Sequence, residues 1–180
     1  MSNEITFTDS QSRFTLSPFI HTGFIGGYGS GKSFVATFKT IKKLIEINVN
    51  KDDIPVAYYL PTYSLIQDVA FPYITNFLNE LNITYKTNHT SKKIKTPYGD
   101  IILRSMDNPD TIVGYEVGYS VIDEADTLPR RKMNEAFKNI LARTRRVLPN
   151  GMPNQIDFVS TPEGYGFLYD FFVRKKSENK

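Results

Sequence analysis

The sequence predicts one α/β domain in which a mostly parallel central sheet is flanked by helices. Short apolar segments alternate with longer segments whose apolar residues recur at helical spacing, the pattern of a parallel sheet with helical crossovers. Several of the apolar segments end in glycine, carboxylate or hydroxyl residues, and ligands bind at the carboxyl ends of parallel strands. The chain has 180 residues, of which 40% are hydrophobic, and this predicts one domain with a sizeable core.

The elements follow in a regular order. The first is a buried strand that contains Phe19, Ile20, Phe24 and Ile25. The helix after it carries Phe34, Val35, Phe38, Ile41, Lys42 and Ile45 at helical spacing. Further strands are predicted at residues 56–60, 100–104 and 155–159, a helix at 63–81 after Pro61 and Thr62, and a turn at 107–110.

A glycine-rich segment between the first strand and helix fits the phosphate-binding pattern G-x-x-x-x-G-K-[ST]. Its residues are Gly26, Gly27, Tyr28, Gly29, Ser30, Gly31, Lys32 and Ser33. Glycines let the backbone wrap closely round a phosphate chain, so that amide N–H groups and a helix N-terminus point at negative charge. Lys32 would contact the β- and γ-phosphates, and the Ser33 hydroxyl would hold Mg²⁺. The strand-turn-helix context favours this phosphate loop over a glycine-rich turn that happens to precede a lysine.

The apolar segment that begins at Tyr119 ends in two adjacent carboxylates, Asp123 and Glu124. Because neighbouring side chains of a strand point to opposite faces, we expect the two to have different roles. Asp123 would assist Mg²⁺ through water, with Ser33 as its fellow ligand, and Glu124 would polarise the attacking water as general base. The alternative is a strand that runs into an acidic, solvated loop.

Composition agrees with an ordinary enzyme domain. The chain lacks cysteine, which excludes disulfides and thiolate metal sites and fits a reducing cytosol. Residues 1–9 do not have the pattern of a signal peptide, and no apolar run approaches membrane-spanning length. We therefore expect no membrane partner. The net charge of +3 is too small to argue for nucleic acid by itself.

Basic residues concentrate in the segment between Pro129 and Pro149, where Glu135 is the only acidic residue. They are Arg130, Arg131, Lys132, Lys138, Arg143, Arg145 and Arg146. An apolar stripe predicts an amphipathic helix with a basic exposed side, and consists of Met133, Ala136, Phe137, Ile140 and Leu141. Arginine gives permanently charged, bidentate contact with phosphate. This makes the segment a candidate for a role beyond solvation.

A second basic cluster consists of Lys86, Lys92, Lys93 and Lys95. It lies in a predicted hairpin or edge-strand pair whose turn includes Asn88, His89 and Ser91. A solvated face and a functional surface both explain this cluster.

Five segments follow one another in a specific order and spacing: residues 7–11, the phosphate loop 26–33, residues 102–109 with 114–116, the strand end 121–125, and residues 160–164, which read Ser-Thr-Pro-Glu-Gly. Together they resemble the ATPase domain of the terminase large subunit, the DNA-packaging motor of tailed bacteriophages. The resemblance covers nearly the whole chain. It implies a P-loop NTPase fold of the RecA-like, additional-strand type.

The resemblance also implies roles for single residues. Gln11 would hydrogen-bond the adenine edge, whereas the alternative is a surface glutamine at a helix start. Ser160 and Thr161 look like the coupling motif that senses the γ-phosphate, whereas the alternative is a simple strand-ending turn. Arg143 or Arg145 best matches the arginine that completes a neighbouring subunit's site, and a DNA-facing or solvated surface explains these arginines equally well. The phosphate loop itself carries no arginine, unlike that of some family members, which favours a neighbour's arginine.

The implied function is Mg²⁺-dependent ATP hydrolysis that drives double-stranded viral DNA into a procapsid. The implied cofactors are ATP and Mg²⁺. The implied partners are double-stranded DNA, other copies of the chain in a ring, the portal protein and the terminase small subunit, in the host cytoplasm. Residues 1–180 are expected to form one ATPase domain without the family's nuclease domain, as a fragment or a split gene product.

Two other functions remain open. Residues 123–126 read Asp-Glu-Ala-Asp, the signature of superfamily 2 helicases, which are also ATP-driven nucleic-acid motors. Such helicases have a serine-alanine-threonine coupling motif, which differs from residues 160–162, and need a second motor domain. The third possibility is a regulatory nucleotide-binding module, which has no need of a water-activating carboxylate such as Glu124.

Overall fold

The computed structural model describes residues 5–174, apart from the side chain of Asn150. Strands in this part of the chain form one seven-stranded sheet in the order β1-β7-β6-β2-β5-β4-β3. They are β1 (His21–Ile25), β2 (Val56–Leu60), β3 (Lys86–Asn88), β4 (Lys93–Thr96), β5 (Gly99–Ser105), β6 (Tyr119–Asp123) and β7 (Gln155–Ser160). Strands β1, β7, β6, β2 and β5 are parallel, and β4 and β3 extend the sheet antiparallel. This confirms the α/β class and the mostly parallel sheet.

Helices flank both faces of the sheet. They are α1 (Asp9–Thr15), α2 (Lys32–Ile47), α3 (Tyr63–Leu65), α4 (Phe71–Glu80), α5 (Arg130–Arg143) and α6 (Phe167–Tyr169). The helix predicted at 63–81 begins at Tyr63 as expected, with Thr62 as its N-cap. A π-helical turn at Ile66–Ala70 separates α3 from α4. No helix among residues 5–174 has the length and apolar character needed to cross a membrane.

The strand β2 illustrates why both faces of the sheet are buried. Val56, Tyr58 and Leu60 pack in the hydrophobic cluster that contains the apolar side chains of α2 and α4. Ala57 and Tyr59 pack in the second cluster, which contains those of α5 and α6. Because side chains alternate along a strand, each central strand supplies both cores. We call these faces of the sheet the α2 face and the α5 face.

A fully buried ion pair fixes α1 and α2 on the α2 face. Nζ of Lys39 lies 2.7 Å from Oδ2 of Asp157 and donates a hydrogen bond of 2.8 Å to the Phe14 carbonyl at the end of α1. The Tyr119 hydroxyl donates to the same carboxylate oxygen at 2.8 Å. Burial lowers the pKa of Lys39 and raises the pKa of Asp157. Removal of either partner would leave a buried charge unpaired, which typically costs about 3–5 kcal/mol.

The predicted buried character of the first strand is wrong in part. β1 starts at His21, at the edge of the sheet, so Phe19 and Ile20 precede it and are 71% and 54% exposed. Ile25, at its carboxyl end, is 45% exposed. The stripe on α5 also needs correction, because Leu141 is 50% exposed while Met133, Ala136 and Ile140 are buried. An apolar run alone does not reveal that its strand lies at a sheet edge.

Candidate active site

The phosphate loop connects the end of β1 to the start of α2 and has the backbone conformation that its glycines predict. Gly29 and Gly31 have φ angles of 73° and 79°, in the region that favours glycine. Gly31 is the N-cap of α2, and a Cβ on it would come 2.5 Å from Nε2 of Gln11. The Gly26 amide donates to the Ser160 carbonyl at 3.2 Å, which joins the loop to the end of β7. The loop therefore contacts both α1 and the neighbouring strand β7.

Lys32 is held inside this loop. Its side chain is largely buried, and Nζ donates to the carbonyls of Gly26 and Gly27 at 3.0 and 2.9 Å. The ring of Tyr28 lies 5.8 Å from the same ammonium and is 91% exposed. Ser30 Oγ is buried without a hydrogen-bond partner among the described residues. A concave loop with a central ammonium and an unsatisfied hydroxyl fits a phosphate chain.

Ser33 follows Lys32 in the first turn of α2, where the helix N-terminus favours negative charge. Its hydroxyl and the Asp123 carboxylate are oxygen ligands of the kind that Mg²⁺ prefers. Within residues 5–174, no group of three or more His, Cys, Asp or Glu residues could hold a metal ion. Mg²⁺ keeps several waters and binds through one or two protein ligands plus substrate phosphates, and Ser33 and Asp123 offer ligands of that kind.

Gln11 lies on α1 and contacts the phosphate loop directly. Its Nε2 donates to the Ser30 carbonyl at 3.2 Å, and its Oε1 accepts from the Thr8 amide at 3.0 Å. With the reciprocal bond from the Gln11 amide to Thr8 Oγ1, this forms a capping box at the start of α1. The structure therefore brings Gln11 to the loop. Its contact with adenine stays a prediction.

Asp123 is the last residue of β6 and is 4% exposed. It alternates with Tyr119 and Val121, which pack on the α2 face, so it lies on the side of the sheet that carries the phosphate loop helix. Its Oδ2 accepts from the Tyr58 hydroxyl at 2.6 Å, and its Oδ1 accepts from the Glu124 amide at 2.9 Å. Burial is the main cause that raises the pKa of Asp123 to about 6, against the lowering effect of the Tyr58 hydrogen bond.

Glu124 lies beyond the end of β6 in a left-handed conformation, with φ 53°. The chain turns at Glu124, directly after Asp123. The alternation of side chains expected from a continuous strand therefore does not apply to Glu124. Its Oε2 accepts a long hydrogen bond of 3.4 Å from the Thr161 amide. A left-handed residue other than glycine costs about 1–3 kcal/mol, and such strain concentrates at functional sites. The turn brings Glu124 to the segment after β7.

Ser160 and Thr161 lie at the end of β7, next to the phosphate loop and β6. Ser160 Oγ accepts from the Asp126 amide at 3.1 Å and donates to the Thr161 carbonyl at 3.0 Å. Thr161 Oγ1 is buried without a hydrogen-bond partner among the described residues. An unsatisfied buried hydroxyl at this place is available to a ligand or to an ordered water.

Two residues near the site were not assigned a role from the sequence. Asp126 accepts from the Leu168 amide at 2.9 Å and so joins the turn after β6 to α6. The sequence did indicate Asp126, because it is the last residue of the Asp-Glu-Ala-Asp segment. Tyr58 gave no signal, because a tyrosine within an apolar strand is typical of a core residue.

The structure does not bring Arg143 and Arg145 to the phosphate loop of their own chain. The Arg143 carbonyl accepts from the Val117 amide at 2.9 Å, just before β6, so these arginines lie near the amino ends of the parallel strands, whereas the loop follows the carboxyl end of β1. Arg145 Nη2 lies 2.6 Å from Oε1 of Glu116. Arg143 Nε is buried without a hydrogen-bond partner among the described residues.

Comparison with known proteins gives one family match. A model of the family described as DEAD/DEAH box helicase matches residues 22–161, which is more than half of the chain. A search of curated proteins finds no match.

Several solved structures share the fold. A large terminase from a thermophilic bacteriophage superposes with a TM-score of 0.74 at 16% identity, over 98% of this chain and 44% of its own. This terminase has also been solved in complex with ADP and with ATP-γ-S. The large terminase ATPase domain of Thermus phage P74-26 gives a TM-score of 0.69 at 16% identity, over 93% of this chain and 69% of its own. The N-terminal domain of the DNA packaging ATPase of bacteriophage phi29 gives 0.62 at 15% identity, over 97% and 89%.

These superpositions confirm the resemblance to terminase ATPase domains at the level of the fold. The chain spans about two fifths of the length of the full terminase from the thermophilic bacteriophage.

Proposed function

The chain belongs to the DEAD/DEAH box helicase family, and we propose that it is an Mg²⁺-dependent ATPase whose turnover drives double-stranded viral DNA into a procapsid. One observation carries the ATPase proposal. The Gly26 amide contacts the Ser160 carbonyl at 3.2 Å, and the Thr161 amide contacts the Glu124 carboxylate at 3.4 Å. A continuous set of contacts thus links the phosphate loop, the end of β7 and the general-base candidate.

In this proposal the loop residues 26–33 hold the phosphates through backbone amides, and the Lys32 ammonium offsets charge on the β- and γ-phosphates. Ser33, with Asp123 acting through water, would hold Mg²⁺, and the ion would supply positive charge that offsets charge on the phosphates. Glu124 accepts a proton from water as the water oxygen bonds to the γ-phosphorus and the bond to ADP breaks. Gln11 binds the adenine edge. Residues 1–180 form one ATPase domain.

Coupling to movement is proposed to pass through Ser160 and Thr161. The amide of Thr161 contacts Glu124, and Ser160 Oγ contacts the Asp126 amide. Asp126 in turn holds the start of α6 through Leu168. Loss of the γ-phosphate would therefore change contacts that reach α6.

The neighbouring subunit is proposed to complete the site with Arg143 or Arg145. Both lie near the amino ends of the parallel strands, whereas their own phosphate loop lies at the carboxyl ends. They can therefore contact the phosphates of a bound ATP only in a neighbouring copy, across an interface between subunits. This geometry supports a ring of copies in which each site borrows an arginine from the next subunit.

The packaging role rests on shared fold, because terminase ATPase domains superpose over nearly all of the chain. The further partners in this proposal are the portal protein and the terminase small subunit, and the place of action is the host cytoplasm. The family match favours a second candidate, a nucleic-acid helicase. Against it, residues 160–162 at the end of β7 read Ser-Thr-Pro where such helicases have serine-alanine-threonine.

The test is Mg²⁺-ATP turnover by the purified chain, alone and with added duplex or single-stranded DNA, together with strand separation of a partial duplex. A packaging motor predicts turnover that duplex DNA stimulates and no strand separation. Stimulation by single strands with strand separation would favour the helicase. Nucleotide binding without turnover in any mixture would favour a regulatory module.

A further inference from the structure

The hairpin formed by β3 and β4 carries lysines that have no role in the proposed ATPase site. In its register Lys86 lies opposite Lys95 and Asn88 lies opposite Lys93. Paired residues share a face of the sheet, and so do alternate residues along a strand. These four side chains therefore project from one face. Ile94 projects from the other and is fully buried in the α2-face core.

The pairing of β4 with β5 shows which face of the sheet carries these lysines. Lys93 lies opposite Ile102 of β5, and Ile102 packs in the α5-face core. The lysines therefore belong to the α5 face, beyond the part that the helices cover. Lys86, Asn88 and Lys95 are exposed. We call this surface the lysine face and define it by Lys86, Asn88, Lys93 and Lys95.

The charges of the lysine face are poorly neutralised. Lys86 and Lys95 lie directly opposite each other, which places their Cβ atoms about 5 Å apart and makes the pair repulsive. Among residues 5–174, Lys93 pairs with Asp100 at 3.6 Å, whereas neither Lys86 nor Lys95 has an ion-pair partner. An anionic ligand would relieve this repulsion.

The basic helix α5 lies on the same side of the sheet as the lysine face. α5 packs its apolar stripe into the α5-face core, and its Asn139 reaches the Pro109 carbonyl in the turn after β5. Arg131 on its outer side is 90% exposed. α5 thus adds basic side chains on the same side of the sheet as the hairpin, although Arg131 itself pairs with Glu135 at 3.5 Å.

We propose that the lysine face binds the phosphate backbone of duplex DNA. Lysine is a flexible point charge that contacts phosphate without reading bases, so the binding is independent of sequence. The strand residues that project from this face are polar or aliphatic, with no aromatic ring on which unpaired bases could stack. A duplex, whose bases are already stacked on one another and whose phosphates lie on the outside, therefore fits better than a single strand. This inference rests on the proposed packaging function and gives its DNA partner a surface.

The test measures binding of labelled duplex DNA to the 180-residue chain by fluorescence anisotropy, without nucleotide, across a salt series. The variant is Lys86→Gln, Lys95→Gln. The matched control is Lys43→Gln, Lys51→Gln, which removes the same charge elsewhere, with Lys43 on α2 across the sheet. Each lost phosphate contact should weaken binding on the order of tenfold near about 0.1 M salt and reduce the salt slope by about 0.9. The control should bind as the parent does.

Equal duplex affinity and salt slope in variant and parent would overturn the inference, as would a parent that binds no DNA or prefers single strands. So would a variant that self-associates but keeps its DNA affinity, because edge lysines would then serve only to block strand pairing. Circular dichroism checks that the variant is folded. ATP turnover without DNA is measured on the same samples. Its absence in the parent would count against the proposed ATPase, whereas lost DNA binding with intact turnover supports the lysine face alone.

Discussion

The hydroxyl of Tyr58 donates a hydrogen bond of 2.6 Å to Oδ2 of Asp123, and both side chains are almost fully buried. Strands β2 and β6 are parallel neighbours, with Tyr58 paired to Val121, two residues before Asp123. The tyrosine therefore holds the carboxylate from the adjacent strand. This hydrogen bond orients the Asp123 carboxylate before any ligand binds. The same carboxylate is proposed to assist Mg²⁺.

Tyr58→Phe is expected to weaken the Mg²⁺ response of ATP turnover. Loss of a hydrogen bond to a charged group costs about 1.5–3 kcal/mol, and here it also removes an interaction that lowers the pKa of Asp123. The Mg²⁺ concentration for half-maximal turnover should rise. The control is Tyr59→Phe, because Tyr59 bonds Tyr115 on the α5 face at 3.1 Å. Equal Mg²⁺ responses in the two variants would contradict a role for Tyr58 in the site.

The pKa of Asp123 predicts a pH dependence. With a value of about 6 against an ordinary 3.8, the carboxyl is mostly neutral below pH 6 and ionised above it. A neutral carboxyl is a poor partner for Mg²⁺, so the Mg²⁺ requirement should rise as the pH falls through about 6 and stay flat above neutrality. Mg²⁺ titrations of turnover at several pH values measure this. The dependence should disappear in Asp123→Asn, and its persistence there would assign it to another group.

The sequence predicted the parts of the fold that depend on periodicity and on special backbone conformations. The phosphate loop was predictable because the positive φ angles at Gly29 and Gly31 require glycine. Asp123 was predictable because it ends an apolar strand whose alternation places it on the α2 face. Relationships between distant segments were less accessible. The exposure of Phe19 depends on β1 being an edge strand, and the bond from Tyr58 depends on strand order.

The site shows the same division between local and long-range information. Strand alternation predicted that Asp123 and Glu124 have different roles, but the left-handed turn at Glu124 was not predicted. The contact between Glu124 and the Thr161 amide joins residues 37 positions apart, and it requires β6 and β7 to be neighbours. Strand order of this kind is set by packing of the whole chain and is absent from any single motif.

Glu124→Gln is expected to keep nucleotide affinity and to stall hydrolysis by about 10²–10⁴-fold, because the amide preserves shape but cannot accept a proton. Asp123→Asn should instead change the Mg²⁺ dependence. Binding of a fluorescent ATP analogue and single-turnover hydrolysis separate the two effects. The same binding defect and the same metal response in both variants would contradict the proposed division of roles.

The proposed action of Arg143 or Arg145 across an interface predicts complementation between inactive variants. An Arg143→Ala, Arg145→Ala double variant keeps Glu124, and a Glu124→Gln variant keeps both arginines. Mixing them should restore turnover, because intact Glu124 sites can borrow arginines, and arginine fingers contribute about 10³–10⁵ in rate. Loss of the exposed pair between Arg145 and Glu116 should affect stability little.

Complementation is measured at concentrations where light scattering establishes assembly. No recovery under those conditions would contradict action between subunits. Specific activity of the parent should also rise with concentration as subunits meet. A rate that does not depend on concentration would indicate that each chain completes its own site.

The central claim is that the loop around Lys32 is the site of ATP hydrolysis, and Mg²⁺-ATP turnover by Lys32→Ala tests it most directly. The control is Lys42→Ala, which removes a lysine of the same helix that pairs with Glu46 on the surface. Turnover is expected in the parent and in the Lys42 variant, at concentrations that permit assembly, and its loss is expected in the Lys32 variant. Hydrolysis by Lys32→Ala as fast as by the parent would show that ATP is hydrolysed at another site.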